Sequence, residues 1–316
     1  MNRTIRIVAR PNRVGIDRDI QILMECLSSE WGETTFSPYR SIHALRRYVG
    51  SPDPAESIIF LGRITARWLR QAGRYLLIPN QERYPERLVP LLSSVDHVLC
   101  KTRHAREIFS HLHPSALYLG FTSMDRRLPE IEPEYDRFFH LGGGSSLKGT
   151  EDLLRLWARH PEWPTLTLIW HRRDTLDVVV PPNVDWVEQY LPDSELRALQ
   201  NQCGIHLCPS RSEGWGHYIT EAMSCRAVTL TTDAPPMNEL VEPDRGVLVR
   251  YSRSESRNLG TNFFVDPDVL EQAIEDLISR PTSEKVELGR SARSWFEMNH
   301  ARFVQNLSRL CSEMMR

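Results

Sequence analysis

Short apolar runs alternate with amphipathic stretches along most of the chain. This alternation predicts parallel strands connected by helices that cover both faces of a sheet. In the first half the predicted strands are Ile5–Ala9, Thr34–Ser37, Ser57–Leu61, Tyr75–Ile78, His97–Cys100 and Ala116–Leu119. The predicted helices between them are Arg18–Ser29, Ile42–Tyr48, Thr65–Ala72, Pro85–Ser93 and Arg103–His111.

The segment Ser123–Arg137 interrupts this pattern with charges and prolines, as a linker does. The alternation then restarts with predicted strands Phe138–Leu141, Leu166–Trp170, Val184–Val187, Ile205–Cys208, Val228–Thr231 and Val247–Arg250. The predicted helices of this half are Thr150–Arg159, Ser194–Gln202, His217–Cys225, Met237–Val241 and Pro267–Ser279. The sequence therefore predicts two Rossmann-like, doubly wound α/β domains, at 1–135 and 136–316. Ligands of such folds bind at the carboxyl ends of the strands, so we expect the site in the cleft between the domains.

The last part of the chain, Glu284–Arg316, has a helical pattern with Trp295, Phe296, Phe303 and Leu307 at apolar positions. Its helix either packs on the second domain or crosses back to the first.

Composition narrows the class of protein. The 316 residues are 41% hydrophobic and 25% charged, which is typical of soluble globular proteins. No apolar run approaches the roughly 18 residues of a membrane span, and the chain starts in a strand-like segment without a signal-peptide pattern. The six cysteines are scattered without CxxC spacing. We therefore expect reduced thiols in a cytoplasmic protein.

The charge is unevenly distributed. Residues 1–137 hold 20 Lys and Arg against 16 Asp and Glu, a net charge of +4. The remainder holds 19 against 25, a net charge of −6, and the two sum to −2. The basic first half permits an anionic partner such as a nucleic acid, a phospholipid head group or a phosphorylated small molecule, although a difference this small more often reflects ordinary surface composition.

Two glutamates, Glu213 and Glu221, bracket a glycine turn that follows a predicted strand and ends at Gly216, where a helix begins. A helix N-terminus presents backbone N–H groups and the positive end of the helix dipole, so this turn suits a diphosphate. The simpler interpretation is a pair of solvated glutamates beside an ordinary strand–helix turn.

A second glycine-rich loop, Gly142, Gly143 and Gly144, follows the strand at Phe138 and leads to Lys148. Glycines let a phosphate approach the backbone, and Lys148 offers a cation to its oxygens. The loop lacks the GxGxxG and GxxxxGK[ST] spacings, so by itself it indicates little.

Four elements in this order resemble the group 1 family of retaining glycosyltransferases, which have the GT-B fold. They are Lys148-Gly149, Glu213 with Glu221-Ala222-Met223, Pro235 with Glu239-Leu240-Val241, and Leu288-Gly289-Arg290-Ser291-Ala292-Arg293. The resemblance covers residues 138–300 and is only architectural before them.

The resemblance implies transfer of a sugar from a nucleoside diphosphate-sugar, UDP- or GDP-linked, with retained configuration and without a cofactor or metal. Lys148 would hold the donor diphosphate, Glu213 the hydroxyls of the donor sugar and Glu221 those of the ribose. The backbone of Gly216, His217 and Tyr218 would stabilise the leaving phosphate.

The chain also departs from the family pattern. An arginine commonly lies six residues before the lysine, where this chain has Gly142. The phosphate cation is then either lost or supplied from elsewhere, with Arg172, Arg173 and Arg211 as candidates. Arg226 stands where a glycine is usual. A histidine common after a first-domain strand is not evident. At the matching place, after Tyr75–Ile78, we expect Asn80 and Glu82 either to face the acceptor or to form a solvated turn.

Four further positions complete the candidate site. Arg13 and Gly15, in the first strand–helix loop, could meet the acceptor or a phosphate. Tyr190 could line the base pocket, and His217 lies at the positive end of a helix, which would favour its neutral form. The spacing of Asp17 and Asp19 also occurs in metal sites but is expected of a helix start.

The leading hypothesis is therefore a retaining, metal-independent glycosyltransferase that acts on an acceptor hydroxyl. A nucleotide-sugar epimerase on the same scaffold and a non-catalytic sugar-nucleotide binder are the alternatives. The sequence identifies neither the acceptor nor the oligomeric state.

Overall fold

The computed structural model describes residues 4–12, 15–31, 33–39, 55–171 and 180–314. The predicted helix Ile42–Tyr48 lies outside them. The chain divides into two compact units. The first contains Met1–Met124, Ser256–Gly260 and Asn299–Arg316, and the second contains Asp125–Glu255 and Thr261–Met298.

The first unit is built on a parallel sheet of six strands in the order β2-β1-β3-β4-β5-β6. The strands are β1 (Thr4–Ala9), β2 (Glu33–Pro38), β3 (Ala55–Gly62), β4 (Ala72–Pro79), β5 (His97–Cys100) and β6 (Ala116–Tyr118). Its helices include α1 (Gly15–Trp31) and α2 (Arg103–Ser110). Buried apolar side chains such as Phe60, Leu77 and Phe109 form one core cluster.

Two predicted helices of this unit are 3₁₀ helices and not α-helices, and the first of them is much shorter than predicted. Thr65–Ala72 contains only a 3₁₀ turn at Ala66–Trp68, because Arg70 adopts a left-handed φ of 69° and β4 begins at Ala72. The segment predicted at Pro85–Ser93 is a 3₁₀ helix over Glu86–Ser94 that contains Pro90. Proline has no N–H to donate, so a regular α-helix is disfavoured there.

The second unit contains a second parallel sheet of six strands, in the order β12-β11-β10-β7-β8-β9. The strands are β7 (Glu134–Gly143), β8 (Leu166–Trp170), β9 (Val184–Val187), β10 (Cys203–Cys208), β11 (Val228–Thr232) and β12 (Gly246–Val249). The helices are α3 (Thr150–Arg159), α4 (Asp193–Gln202), α5 (His217–Ser224), α6 (Met237–Leu240) and α7 (Pro267–Ser279). Phe138, Trp157 and Ile205 belong to the main core cluster.

Three further elements complete the described chain. β13 (Tyr251–Arg257) and β14 (Gly260–Val265) pair in a two-stranded sheet that the sequence pattern did not predict. α8 (Thr282–Met314) is the long C-terminal helix, whose residues from Asn299 onward belong to the first unit. Within the described part of the chain, no helix has the length and apolarity needed to cross a bilayer.

The strand order locates the ligand-binding edge of the second sheet. β7 and β10 are neighbours, although the chain visits β8 and β9 on one side of β7 before it returns to β10. Such a reversal of strand order is a topological switch point, where a crevice opens at the carboxyl ends of the strands. The predicted fold class, two parallel α/β domains, is confirmed.

Candidate active site

The two segments with the candidate catalytic residues leave the second sheet at this switch point. Lys148 follows β7 and Glu213 follows β10, so parallel pairing brings both segments to the same edge. The sequence alone predicts this proximity, and the structure shows direct contact.

Lys148 and Glu213 form an ion pair in which the ammonium Nζ lies 2.5 Å from carboxylate Oε1. The hydroxyl of Ser210 donates to the same oxygen over 2.5 Å. The two charged side chains are 18% and 12% exposed, so water and a ligand can reach them. A polar ligand can therefore exchange for either partner without opening the core.

The aromatic ring of Tyr218 lies beneath the ammonium of Lys148, with 3.5 Å between Nζ and the ring centroid. Burial raises the pKa of the Tyr218 phenol well above its ordinary value, and it also raises the pKa of the adjacent Cys208 thiol. Both groups are therefore neutral at physiological pH. The Tyr218 ring stabilises the ammonium through a cation–π contact without adding charge.

Gly216 is the N-cap of helix α5 and has a conformation that only glycine adopts readily, with φ of 106°. A Cβ there would lie 3.0 Å from the Leu240 side chain and 3.2 Å from that of Ile219. The first turn of α5, with His217 and Tyr218, follows the turn that contains Glu213. Its backbone N–H groups and dipole make this end favourable for an anion.

Glu221 lies one turn further along α5 and is fully buried. It differs from Glu213 in this respect, because the carboxylate of Glu213 is partly accessible. The two glutamates share a helix–turn element, but they do not form a solvated surface pair.

Gly142 is packed so tightly that no side chain fits. A Cβ at this position would lie 2.6 Å from Thr150 Oγ1 and 3.0 Å from Trp170 Cδ1. The arginine common in the family at this position is therefore excluded sterically. Around Gly143 and Gly144, in contrast, a Cβ would have no atom within 4 Å. These two glycines border open space, as backbone that approaches a ligand does.

Arg211 lies across the start of α3. Its guanidinium Nη2 is 3.3 Å from the Glu151 carboxylate and 3.2 Å from that of Asp152, and Nη1 donates to the Ser146 carbonyl. These contacts already balance its charge and hold the glycine loop to the helix. Arg172 and Arg173 lie outside the described residues.

Tyr190 is 82% exposed although it is a large aromatic residue. Its ring stacks on His171 with 4.0 Å between centroids and 24° between planes. The backbone N–H of His171 donates to the Gly143 carbonyl, which places this stack beside the glycine loop. Trp186 instead stacks on Trp170 and donates its indole N–H to the Trp170 carbonyl, so it contributes to packing.

The described candidate residues of the first unit lie at the start of α1 and just after β4. Gly15 is the first residue of α1, and Arg13 lies outside the described residues. Asn12 Oδ1 accepts from Ile16 N over 3.1 Å, while Asn12 N donates to Asp17 over 2.7 Å. This reciprocal capping explains Asp17 as part of the helix start.

Asp19, two residues further, forms a buried ion pair with Lys101 at 2.5 Å, and both side chains are 2% exposed. Asp17 and Asp19 therefore stabilise the fold of the first unit. The described residues contain no group of three or more His, Cys, Asp or Glu side chains arranged to hold a metal ion.

Asn80 and Glu82 lie at the carboxyl end of β4. Asn80 precedes a 3₁₀ turn, and Glu82 is only 4% exposed. The Asn258 side chain donates to the Glu82 carbonyl over 2.7 Å, and Gly260 packs on the Glu82 backbone within the same unit. Glu82 is therefore buried and does not lie in a solvated turn.

Sequence reasoning missed two side chains of the site, Ser210 and His171. Ser210 lies between β10 and Glu213, but only its contact with Glu213 distinguishes it from other turn serines. His171 follows β8 directly, and a histidine at the carboxyl end of a buried parallel strand is the signal that could have found it.

The chain is similar to known proteins in both sequence and fold. Residues 180–295 match the family model for glycosyl transferases group 1. The second unit is therefore similar in sequence to group 1 glycosyltransferases. Over 99 residues the chain is 27% identical to α-maltose-1-phosphate synthase from Mycolicibacterium smegmatis. That match covers 31% of this chain and about a quarter of the relative, 24% of its length.

Solved structures share the fold over nearly the full length. Sucrose-phosphate synthase from Thermosynechococcus elongatus superposes with a TM-score of 0.70 at 14% identity, covering 99% of both chains. The Anabaena protein HepE, solved with UDP and glucose, gives a TM-score of 0.67 at 14% identity, again over 99% of both chains. These likenesses confirm the GT-B fold of the chain.

Proposed function

We propose that this protein transfers a sugar from a nucleoside diphosphate-sugar to an acceptor hydroxyl with retention of configuration. The observation that carries the proposal is the ion pair of Lys148 and Glu213 beside the N-terminus of α5, at the switch point of the second sheet. A cation, a hydrogen-bonding carboxylate and a helix N-terminus at one strand edge suit a diphosphate linked to a sugar. The UDP bound in the HepE structure supports a nucleotide donor.

In this proposal the donor exchanges the ion pair for two new contacts. Lys148 turns its ammonium to the diphosphate, and Glu213 accepts hydrogen bonds from the sugar hydroxyls. Gly143 and Gly144 allow the phosphates to approach the backbone, while Tyr190 and His171 stack on the base. Glu221 would bind the ribose, which requires its buried carboxylate to become accessible to the donor.

The chemistry we propose is a same-face displacement. The bond between the anomeric carbon and the leaving phosphate oxygen breaks, and negative charge grows on that phosphate. Lys148 and the backbone N–H groups at Gly216, His217 and Tyr218 stabilise this charge, so no metal is needed. The phosphate oxygen takes the acceptor proton as the acceptor oxygen bonds to the same face of the sugar.

We assign the acceptor to the first unit, at Gly15, Arg13, Asn80 and Glu82. The net charge of +4 over residues 1–137 is compatible with an anionic acceptor. Its chemical class is a question for an acceptor screen.

The test is a panel of UDP- and GDP-sugars with phosphorylated, lipid-linked and sugar acceptors, run with and without a chelator. Lys148→Ala and Glu213→Gln should each abolish transfer while the thermal unfolding midpoint is retained. Glu275→Gln, an exposed substitution on α7, is the matched control and should keep full activity. Full activity in both site variants would refute the assignment.

The same panel separates the alternative functions. Conversion of the donor sugar without an acceptor would identify an epimerase. Binding of UDP without hydrolysis or transfer would identify a non-catalytic binder. Loss of activity with the chelator would refute the metal-independent mechanism.

A further inference from the structure

His140 lies beneath the candidate active site and contacts both segments that carry its charged residues. It is on β7, completely buried, with its ring nitrogens bonded to groups on different elements. Nδ1 lies 2.7 Å from the Leu207 carbonyl on β10, and Nε2 lies 2.8 Å from the Thr150 hydroxyl at the start of α3.

The direction of these hydrogen bonds follows from chemistry. Burial lowers the pKa of His140 to about 4, so the ring is neutral at physiological pH and carries one N–H. A carbonyl oxygen can only accept, so Nδ1 carries that hydrogen and donates to Leu207. Nε2 is then an acceptor, and the Thr150 hydroxyl must donate to it.

Each end of this bridge is adjacent to one member of the ion pair. Thr150 follows Lys148 after a single residue, Gly149, whose φ of 70° starts α3. Leu207 is the penultimate residue of β10, and the Pro209–Ser210 turn that supports Glu213 comes directly after that strand. The His140 ring therefore sets the separation between the lysine segment and the glutamate segment.

The packing around the bridge is as restrictive as its hydrogen bonds. A Cβ on Gly142 would lie 3.4 Å from His140 Nε2 and 2.6 Å from Thr150 Oγ1. A Cβ on Gly149 would lie 2.5 Å from the Pro209 carbonyl oxygen. With both glycines pressed against their neighbours, the start of α3 has little room to shift while the bridge is intact.

We infer that His140 is a positioning residue which, through the Thr150 hydroxyl, holds Lys148 at Glu213 and so at the donor diphosphate. The part that concerns the diphosphate rests on the proposed function. His140 itself contacts no substrate in this inference. Preorganisation of this kind matters because a displacement of about 1 Å in a catalytic group can cost on the order of a hundredfold in rate.

The chain offers a direct readout, since Lys101, Lys148 and Lys285 are its only lysines. Lys101 is 2% exposed and Lys285 is 4% exposed, whereas the Lys148 side chain is 18% exposed. Brief acetylation followed by peptide mass spectrometry therefore reports on the ion pair through Lys148. The other two lysines report on unfolding in the same sample.

The informative variants differ in a single group. Thr150→Val removes the hydroxyl and keeps the shape, Thr150→Ser keeps the hydroxyl, and His140→Asn shortens the bridge. We expect Thr150→Val and His140→Asn to raise acetylation of Lys148 several-fold relative to Lys101 and Lys285, and Thr150→Ser to match the wild type. The inference is overturned if, in both variants, acetylation of Lys148 rises no more than acetylation of Lys101 and Lys285.

UDP binding, measured by calorimetry on the same proteins, separates this inference from the proposed function. We expect Thr150→Val to weaken UDP binding roughly tenfold and Thr150→Ser to restore it. Selective exposure of Lys148 in a protein that does not bind UDP would refute the proposed donor site and leave the positioning role intact. Unchanged UDP affinity in Thr150→Val, in a wild type that binds UDP, would overturn the link between the bridge and the diphosphate.

Discussion

Gly149 and Pro209 are in such close contact that a Cβ added to Gly149 would lie 2.5 Å from the Pro209 carbonyl oxygen. Gly149 is also in the left-handed region, with φ of 70°. The start of α3 and the turn after β10 therefore meet backbone to backbone at the base of the candidate active site.

Gly149→Ala should consequently lower the free energy of unfolding by about 3 kcal/mol or more, from left-handed strain plus the clash with a backbone atom. Gly143→Ala is the matched control, because Gly143 has φ of 54° but open space around its Cβ position. It should cost only about 1 kcal/mol. Urea unfolding checks both, and equal losses would contradict the packing argument.

Gly144→Ala separates binding from stability. Gly144 borders open space and shows no left-handed φ, so alanine should change the free energy of unfolding by less than about 0.5 kcal/mol. If phosphates approach this backbone, the added methyl group should weaken UDP binding by roughly tenfold, as measured by calorimetry. Unaltered UDP affinity would remove Gly144 from the proposed site.

Tyr190→Ala should weaken UDP binding without loss of stability, because the exposed ring stacks only on His171 among the described aromatic contacts. Stacking of one base on an aromatic side chain contributes roughly 1–3 kcal/mol, or about five- to 150-fold in affinity. Tyr190→Phe keeps the ring and should bind UDP within about twofold of the wild type. Calorimetry that finds Tyr190→Ala unchanged would exclude the base platform.

Elements with strong local signals were predicted closely from the sequence. The strands His97–Cys100 and Val184–Val187 and the helices Thr150–Arg159 and Pro267–Ser279 have their predicted bounds. The last of these has a proline in its first turn and Asp266 as its N-cap, so its start is determined by adjacent residues.

Elements without an apolar pattern of their own were not predicted. β13, Tyr251–Arg257, is polar and mostly exposed, so it shows no apolar alternation, and only its pairing with β14 defines it as a strand. The linker predicted at Ser123–Arg137 overlaps the first residues of β7. The sequence pattern predicts a linker there because Glu134 and Asp136 are charged, whereas the later part of the strand is mostly buried. Periodicity cannot distinguish such a strand end from a loop.

The candidate site shows the same limit. The order of strands and loops was enough to bring Lys148 and Glu213 to one edge of a parallel sheet. Their direct pairing joins segments far apart in sequence. The hydrogen bond from Ser210 and the steric exclusion of an arginine at Gly142 also depend on atomic distances. A single sequence does not contain those distances.

The buried pair of Asp19 and Lys101 gives a stability test in the first unit. Asp19→Asn leaves the Lys101 ammonium buried without its carboxylate, so the free energy of unfolding should fall by about 3–5 kcal/mol. The double variant Asp19→Leu with Lys101→Met should lose less, because neither charge remains. Glu134→Gln, which breaks an exposed pair with Arg137, should cost less than about 1 kcal/mol. If urea unfolding shows the same small loss of stability for Asp19→Asn as for Glu134→Gln, the description of Asp19 and Lys101 as a buried ion pair is contradicted.

Acid should destabilise the second unit through two buried histidines. Burial lowers the pKa of both His140 and His206 to about 4, below the value near 6.5 of an unfolded chain. The folded state then binds fewer protons than the unfolded state, so their contribution is fully present above about pH 6.5 and is lost as the pH falls towards 4. The loss is on the order of 3 kcal/mol for each histidine. The hydrogen bond to Glu271 raises the pKa of His160, so this histidine instead adds to the stability of the fold as the pH falls. Urea unfolding between pH 7 and 4.5 measures the slope, which should be about halved in His206→Gln. A free energy of unfolding that stays constant over this range would show that these histidines are not buried in neutral form.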